Sequence, residues 1–329
     1  MMRRIALTAA SALLLIAARP APPPVLAPYI KDGRFDSGDY GWMRGKFADA
    51  PPATKAEWAQ VDAWLTACAK AAAEQVKVEL RAAGVANPKI RPQPYQDELC
   101  GTVMNFWLPD DELKSFAVFQ SAKAEAQPVA RTFIWATGLA ERIAGSRDGT
   151  LREQLLGRTV GEQMLRFASS WEEGEAAGAP PLSPLARRIA RSLLWAAVTE
   201  RDHANTAWLK QIVADQGWPT IAKVGERAAE AAWLLAQHAD DDPAFQLRVL
   251  RLMEPLVARN EVSKGNYAYL YDRVMLKIAG TQRYATQMMC RDGRMVAQPI
   301  EDEAMMEERR REVGLGTFAE YRKHFPEKC

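Results

Sequence analysis

The chain holds three histidines, His203, His238 and His324, so any chemistry that depends on imidazole has to use one of them. His238 has the most informative neighbours, because Asp240, Asp241 and Asp242 follow it and Pro243 comes next. An imidazole changes charge near neutral pH, and a carboxylate within reach fixes which ring nitrogen carries the proton. The candidate catalytic set is therefore His238 with Asp240 or Asp272 as its orienting carboxylate, acting as a general acid/base beside Arg273 as an anion holder. Hydrolysis or group transfer is the chemistry expected of such a set, and no cofactor is expected because no cofactor fingerprint is present. A histidine that donates to one backbone carbonyl and fills a gap in a helical core leaves the same signature and stands as the alternative. Asp242 as N-cap with Pro243 at the first helical position explains part of the acidic run by capping, so no metal site is assigned there.

A second polar line runs along the next helix. Asn266, Tyr269 and Arg273 fall at i, i+3 and i+7, while Tyr267, Tyr271, Val274 and Ile278 form the apolar stripe. An amide, a phenol and a guanidinium on one face suit a ligand carboxylate or phosphate. The competing reading pairs Arg273 with an Asp of a neighbouring helix and uses Asn266 as a cap. Other catalytic templates are missing: there is no Gly-x-Ser-x-Gly elbow, phosphate-cradling glycine loop, His-Glu-x-x-His helix or EF-hand loop. Trp195, Trp208, Trp218 and Trp233 fall among helical apolar positions and read as core and helix-junction fillers rather than a sugar-stacking platform.

The elements that must position these residues are almost all helical. Patterns of helical period cover 54–83, 110–144, 150–173, 185–215, 220–239, 243–260 and 267–279. Over 220–239, Ile221, Val224, Ala228, Ala231 and Leu235 make one apolar stripe, and His238 is its next step, close to the helix C-terminus. Alternation from Tyr284 to Met289, turn chemistry at Asp292 and Gly293, and an extended run to Ile300 predict one small β-hairpin near residues 283–300. A last helix is expected from Glu301 to Val313. The fold class is all-α, a multi-helix bundle with that hairpin.

The expected organisation is a signal peptide (1–20), an irregular arm or linker (21–53), an N-terminal helical region (54–177) and a C-terminal helical domain (185–323). Arg3 and Arg4 ahead of the apolar run Ile5–Ala18 carry the export signal. That run is shorter than the ~20 apolar residues of a membrane span, so membrane contact is expected only through an uncleaved signal segment. Cys68, Cys100, Cys290 and Cys329 allow three pairings. Pairing within each half is the economical one, with buried free thiols as the alternative. Forty-three basic residues against 41 acidic ones leave a net charge of +2, which gives no support to a nucleic-acid partner.

Several motif blocks carry a resemblance. NTAWLK from Asn205, GWPT from Gly217, QHAD from Gln237, AYLYDRV from Ala268, YATQ from Tyr284 and PIED from Pro299 occur in that order. Over about 190–321 the chain resembles an uncharacterised bacterial family built on a domain of unknown function. The resemblance implies a C-terminal domain and highlights Asn205, Trp218, His238, Asp240, Tyr269, Asp272, Arg273, Thr286 and Gln287 without naming a reaction. Thr286 and Gln287 thereby join Asn266, Tyr269 and Arg273 as candidate ligand-binding residues. The leading expectation is a periplasmic domain that binds a small polar ligand or a partner protein; the rival is a cofactor-free hydrolase or transferase centred on His238.

Overall fold

The computed structural model describes residues 19–36, 49–106, 115–145, 149–168 and 180–329. Residues 1–18 of the expected signal peptide (1–20), and Trp42 and Phe47 of the arm, lie outside the described residues. The arm begins with a 3-10 helix, Pro24–Tyr29, and a short hairpin of β1 (Ile30–Lys31) and β2 (Arg34–Phe35). Helices α1 (Pro52–Ala82), α2 (Glu98–Met104), α3 (Phe116–Ala144) and α4 (Leu151–Ala168) follow. The second half contains α5 (Pro184–Gln216), α6 (Ile221–Val224), α7 (Glu226–Gln237), α8 (Pro243–Val257) and α9 (Lys264–Ile278). It ends with the hairpin β3 (Met288–Arg291) and β4 (Arg294–Ala297), then α10 (Met306–Glu312) and α11 (Phe318–Arg322).

The protein is thus all-α, with two small antiparallel hairpins among the described residues, one more than the single hairpin expected. Both turn through an Asp-Gly pair with positive φ at both residues, 50° and 77° at Asp32-Gly33 and 52° and 74° at Asp292-Gly293. That backbone matches the right-handed twist of the paired strands.

Local sequence sets most helix limits. Ser183, Asp242 and Ser263 accept from the backbone N–H three residues on and so cap α5, α8 and α9, with Pro at the start of α5 and α8. The stripe from Ile221 to Leu235 is divided between α6 and α7, because Gly225 has φ +79° and ends the first helix. Its N–H donates to Ile221 O, closing that turn before α7 starts.

Two of the three hydrophobic cores among the described residues draw on α1. One joins Leu26 and Phe35 of the arm to the N-terminal part of α1, to α2 and α3, and to the first part of α5. The other joins Ala73, Val76 and Leu80 from the far end of α1, with Ile90 and Tyr95, to Leu209 of α5 and the cores of α7, α8 and α9. Each fully buried Leu contributes roughly 1.5–3 kcal/mol, so α1 and α5 hold both cores to one frame. Disulfides Cys68–Cys100 (Cα–Cα 6.6 Å) and Cys290–Cys329 (5.9 Å) adopt the within-half pairing. No helix among the described residues is long and apolar enough to cross a membrane. The two bridges fit an extracellular or periplasmic protein.

Candidate functional site

The site is built where α4, α5 and the α7–α8 junction meet. Helix α7 ends at Gln237 and His238 is its C-cap, with its N–H donating to Leu234 O at 3.0 Å. Its ring Nδ1 stands against Oε1 of Glu162 on α4. Glu162 is fully buried and also accepts from Arg166 Nε at 2.6 Å, one helical turn on. Burial would raise the Glu162 pKa, but His238, Gln163 and Arg166 outweigh it and hold the carboxyl below its ordinary value.

Arg166 reaches from that pair to α5, where its Nη2 donates to Asp202 Oδ2 at 2.5 Å. The other Asp202 oxygen, Oδ1, is buried and has no hydrogen-bond partner. Burial pushes the Asp202 carboxyl up to about 7 against the pull of Arg166, with Glu162 and Asp240 adding to the rise. A carboxyl that changes charge near neutral pH beside two imidazoles can act as donor or acceptor.

The three consecutive aspartates turn to three different partners. Asp240 meets α9: Arg273 Nη1 donates to it at 2.5 Å, and Lys277 donates both to its carboxylate and, at 2.8 Å, to its carbonyl. Although desolvation opposes them, Lys277, Arg273 and His238 hold the Asp240 carboxyl well below the usual range. Asp241 meets α5, its Oδ2 lying 3.1 Å from His203 Nε2. Burial lowers the His203 pKa, but Asp241 outweighs it, so the imidazole is more basic than usual. Asp242 caps α8 through Phe245 N at 2.9 Å and pairs with Lys210 Nζ at 2.6 Å. Between these groups opens a cleft of about 160 Å³ lined by Asp202, His203, Lys210, His238, Asp241 and Asp242, with Gln96 of the α1–α2 loop at its edge. Gln96 is fixed there by its N–H, which donates to Asp241 O at 2.9 Å.

Residues 190–328 match the model of DUF6624, a family of unknown function. No curated protein and no solved structure matches the chain. The DUF6624 segment supplies all six of the cleft residues named above; Glu162, Arg166 and Gln96 come from outside it.

The residues singled out by sequence are distributed over several places. His238, Asp240 and Arg273 are drawn together, with Arg273 already engaged by Asp240 and only His238 facing the cleft. Asp272 is fully buried elsewhere, where it accepts from the N–H groups of Arg283 (2.7 Å), Tyr284 (2.9 Å) and Thr286 (2.9 Å) and from Thr286 Oγ1 (2.9 Å). Burial raises the Asp272 pKa against those four hydrogen bonds. Gln287 donates from Nε2 to Thr286 Oγ1 at 3.2 Å and from its N–H to Gln282 Oε1 at 2.9 Å. Tyr269 packs edge-on to Trp233 and Tyr321. Asn266 lies in the first turn of α9, where Ser263 is the cap, and its side chain lines a different cavity.

Glu162, Arg166, Asp202 and His203 were missed by sequence reasoning. Their signal is the run Glu200-Arg201-Asp202-His203 in the middle of an otherwise amphipathic helix, together with Glu162 and Arg166 at i, i+4. Four successive ionisable residues cannot all lie on the solvent side of a helix.

Proposed function

We propose that the cleft between α5 and the α7–α8 junction binds a small polar ligand through Asp202, His203 and His238, and that the protein does so in the periplasm after loss of its signal peptide. The observation that supports this most is Asp202: a carboxyl with a pKa near 7 and one buried oxygen without a partner. Buried polar atoms are normally satisfied, and an exception calls for a reason. That oxygen has no accessible surface in this conformation, so a ligand atom entering from the cleft meets it once the Asp202 side chain turns. At about 160 Å³ the cleft is smaller than the roughly 300–1,000 Å³ of drug-sized sites, so the ligand is small or enters by one end group.

The His203–Asp241 pair favours a second reading, in which the bound molecule is also transformed. A carboxylate-oriented imidazole and a carboxyl pushed up to about 7 offer a base and an acid on one cleft, the pairing that cofactor-free hydrolysis or group transfer uses. His203 and Asp202 carry this reading in place of His238 alone.

The test is a titration with acetamide, acetate and ethylamine as separate probes, followed through the ring signals of His203 and His238 and the Asp202 carboxyl carbon. One probe is expected to shift all three signals in the wild type and none in Asp202→Asn. If no probe moves them at tens of millimolar, or if Asp202→Asn responds as the wild type does, the cleft is not a binding site.

A further inference from the structure

His238 and His203 line one cleft but commit different ring nitrogens to carboxylates. His238 turns Nδ1 inward: that atom is buried, and Oε1 of the fully buried Glu162 is the polar atom set against it. His203 turns Nε2 to Asp241 Oδ2 at 3.1 Å. The His238 side chain keeps 16% of its surface exposed. Its Nε2 has no protein partner among the described residues, yet it is not buried, so it is the ring nitrogen left to the accessible side.

Glu162 decides where the His238 proton sits. Its Oε1 already accepts from Arg166 Nε at 2.6 Å and from Gln163 Nε2 at 3.1 Å. Burial opposes its charge, but His238, Gln163 and Arg166 outweigh burial and keep it ionised. A carboxylate only accepts, and a bare Nδ1 against it would set lone pair against lone pair inside the protein. The neutral ring therefore carries its proton on Nδ1 and keeps the lone pair on Nε2. At His203 the same reasoning puts the proton on Nε2.

A bare Nε2 is an acceptor, and the cleft also holds the carboxyls of Asp202, Asp241 and Asp242. The cations of the lining are already engaged, His203 facing Asp241 and Lys210 facing Asp242. A ligand carboxylate or phosphate would add acceptors to acceptors, whereas an N–H or O–H group would be received. Resting on the reading of this cleft as a binding site, we propose that Glu162 is a positioning residue that holds His238 in its Nδ1–H form. The cleft thereby selects ligands whose end group donates a hydrogen bond, an amide or a hydroxyl, over carboxylates and phosphates.

The experiment uses the full mature chain with ¹⁵N-labelled histidine, read by long-range ¹H–¹⁵N correlation at a pH where the rings are neutral, with His203→Gln and His324→Gln identifying the three rings. Wild-type His238 is expected as Nδ1–H beside His203 as Nε2–H, and Glu162→Met is expected to move His238 towards Nε2–H. Acetamide and acetone are the probes, similar in shape but with N–H donors only in acetamide, and acetate is the charged control. Acetamide is expected to shift His238 Nε2, with acetone and acetate binding about tenfold more weakly. An Nε2–H form of His238 in the wild type overturns the proposal, as does a folded Glu162→Met that keeps the Nδ1–H form, or acetone or acetate binding as tightly as acetamide. Should Glu162→Met not fold, the wild-type spectrum decides. The two readings fail separately: His238 as Nε2–H with acetamide bound overturns this assignment alone, while His238 as Nδ1–H with no probe bound overturns the binding reading and the selection that rests on it.

Discussion

The carboxylate of Glu162, fully buried on α4, is in contact with the ring of His238 at the end of α7 and pairs with Arg166, so one acidic side chain closes the seam between the two helices. Removing one partner of a buried pair leaves the other uncompensated, and Glu162→Gln is expected to lower unfolding free energy by about 3 kcal/mol at pH 7. The folded pKa of Glu162 is depressed, so its contribution is present in full above the unfolded value of about 4.3 and is lost as pH falls through the folded value. Urea unfolding of both proteins between pH 7 and pH 3 checks this. A gap that stays constant down to pH 3 contradicts it.

Asp202 has the opposite sign. Its folded pKa of about 7 lies above the unfolded value of about 3.9, so the folded state binds the extra proton and stability falls as pH rises between them. Asp202→Asn is expected to gain about 2 kcal/mol or more on the wild type between pH 5 and pH 8, the two converging only below about pH 4. Thermal unfolding at the two pH values decides, and a variant less stable at pH 8 assigns Asp202 to structure.

Asp272 and Arg310 clamp the loop before the second hairpin from its two sides. Asp272 collects four donors, while the almost fully buried Arg310 donates to Tyr284 O at 2.6 Å and Gly316 O at 2.7 Å. Asp272→Asn turns one acceptor oxygen into a donor facing donors and is expected to cost about 3 kcal/mol. Amide exchange should rise first at Arg283, Tyr284 and Thr286. Unchanged protection at those amides would contradict the clamp.

Cys68–Cys100 ties α1 to α2 inside a core, closing a separation of 32 residues. Cys68→Ala/Cys100→Ala is expected to lose about 3 kcal/mol in non-reducing urea titrations. A loss below about 1 kcal/mol would mean that packing alone holds α2 in place.

Much of this fold is legible because its rules are local. Asp242-Pro243 predicts the start of α8, and Asp292-Gly293 predicts the turn of the second hairpin. Asp32-Gly33 carries the same turn signal but lies in a Pro-rich arm, where composition argued for irregular chain. Gly225 was absorbed into one helical pattern because a lone glycine is tolerated in a helix; its positive φ is what divides the stripe. The site is less legible. His238 is visible beside its aspartates, but which aspartate turns to which helix depends on tertiary contacts. Glu162 meets His238 across 76 positions of sequence, a pairing no spacing rule contains. Asp272 and Thr286 look like ligand-facing polar residues in a linear reading because their backbone partners lie 11 to 14 residues away.

The sharing of α1 between two cores bears on how this chain was assembled. The DUF6624 match opens at residue 190, partway along α5, while Ala73, Val76 and Leu80, which complete the core beneath α7, α8 and α9, lie far upstream. The matched unit is therefore smaller than the unit that folds. In this chain α1 is the companion helix that covers the apolar floor of the matched segment. The companion side also brings Gln96 to the rim of the cleft and, through α4, Glu162 and Arg166 beneath it.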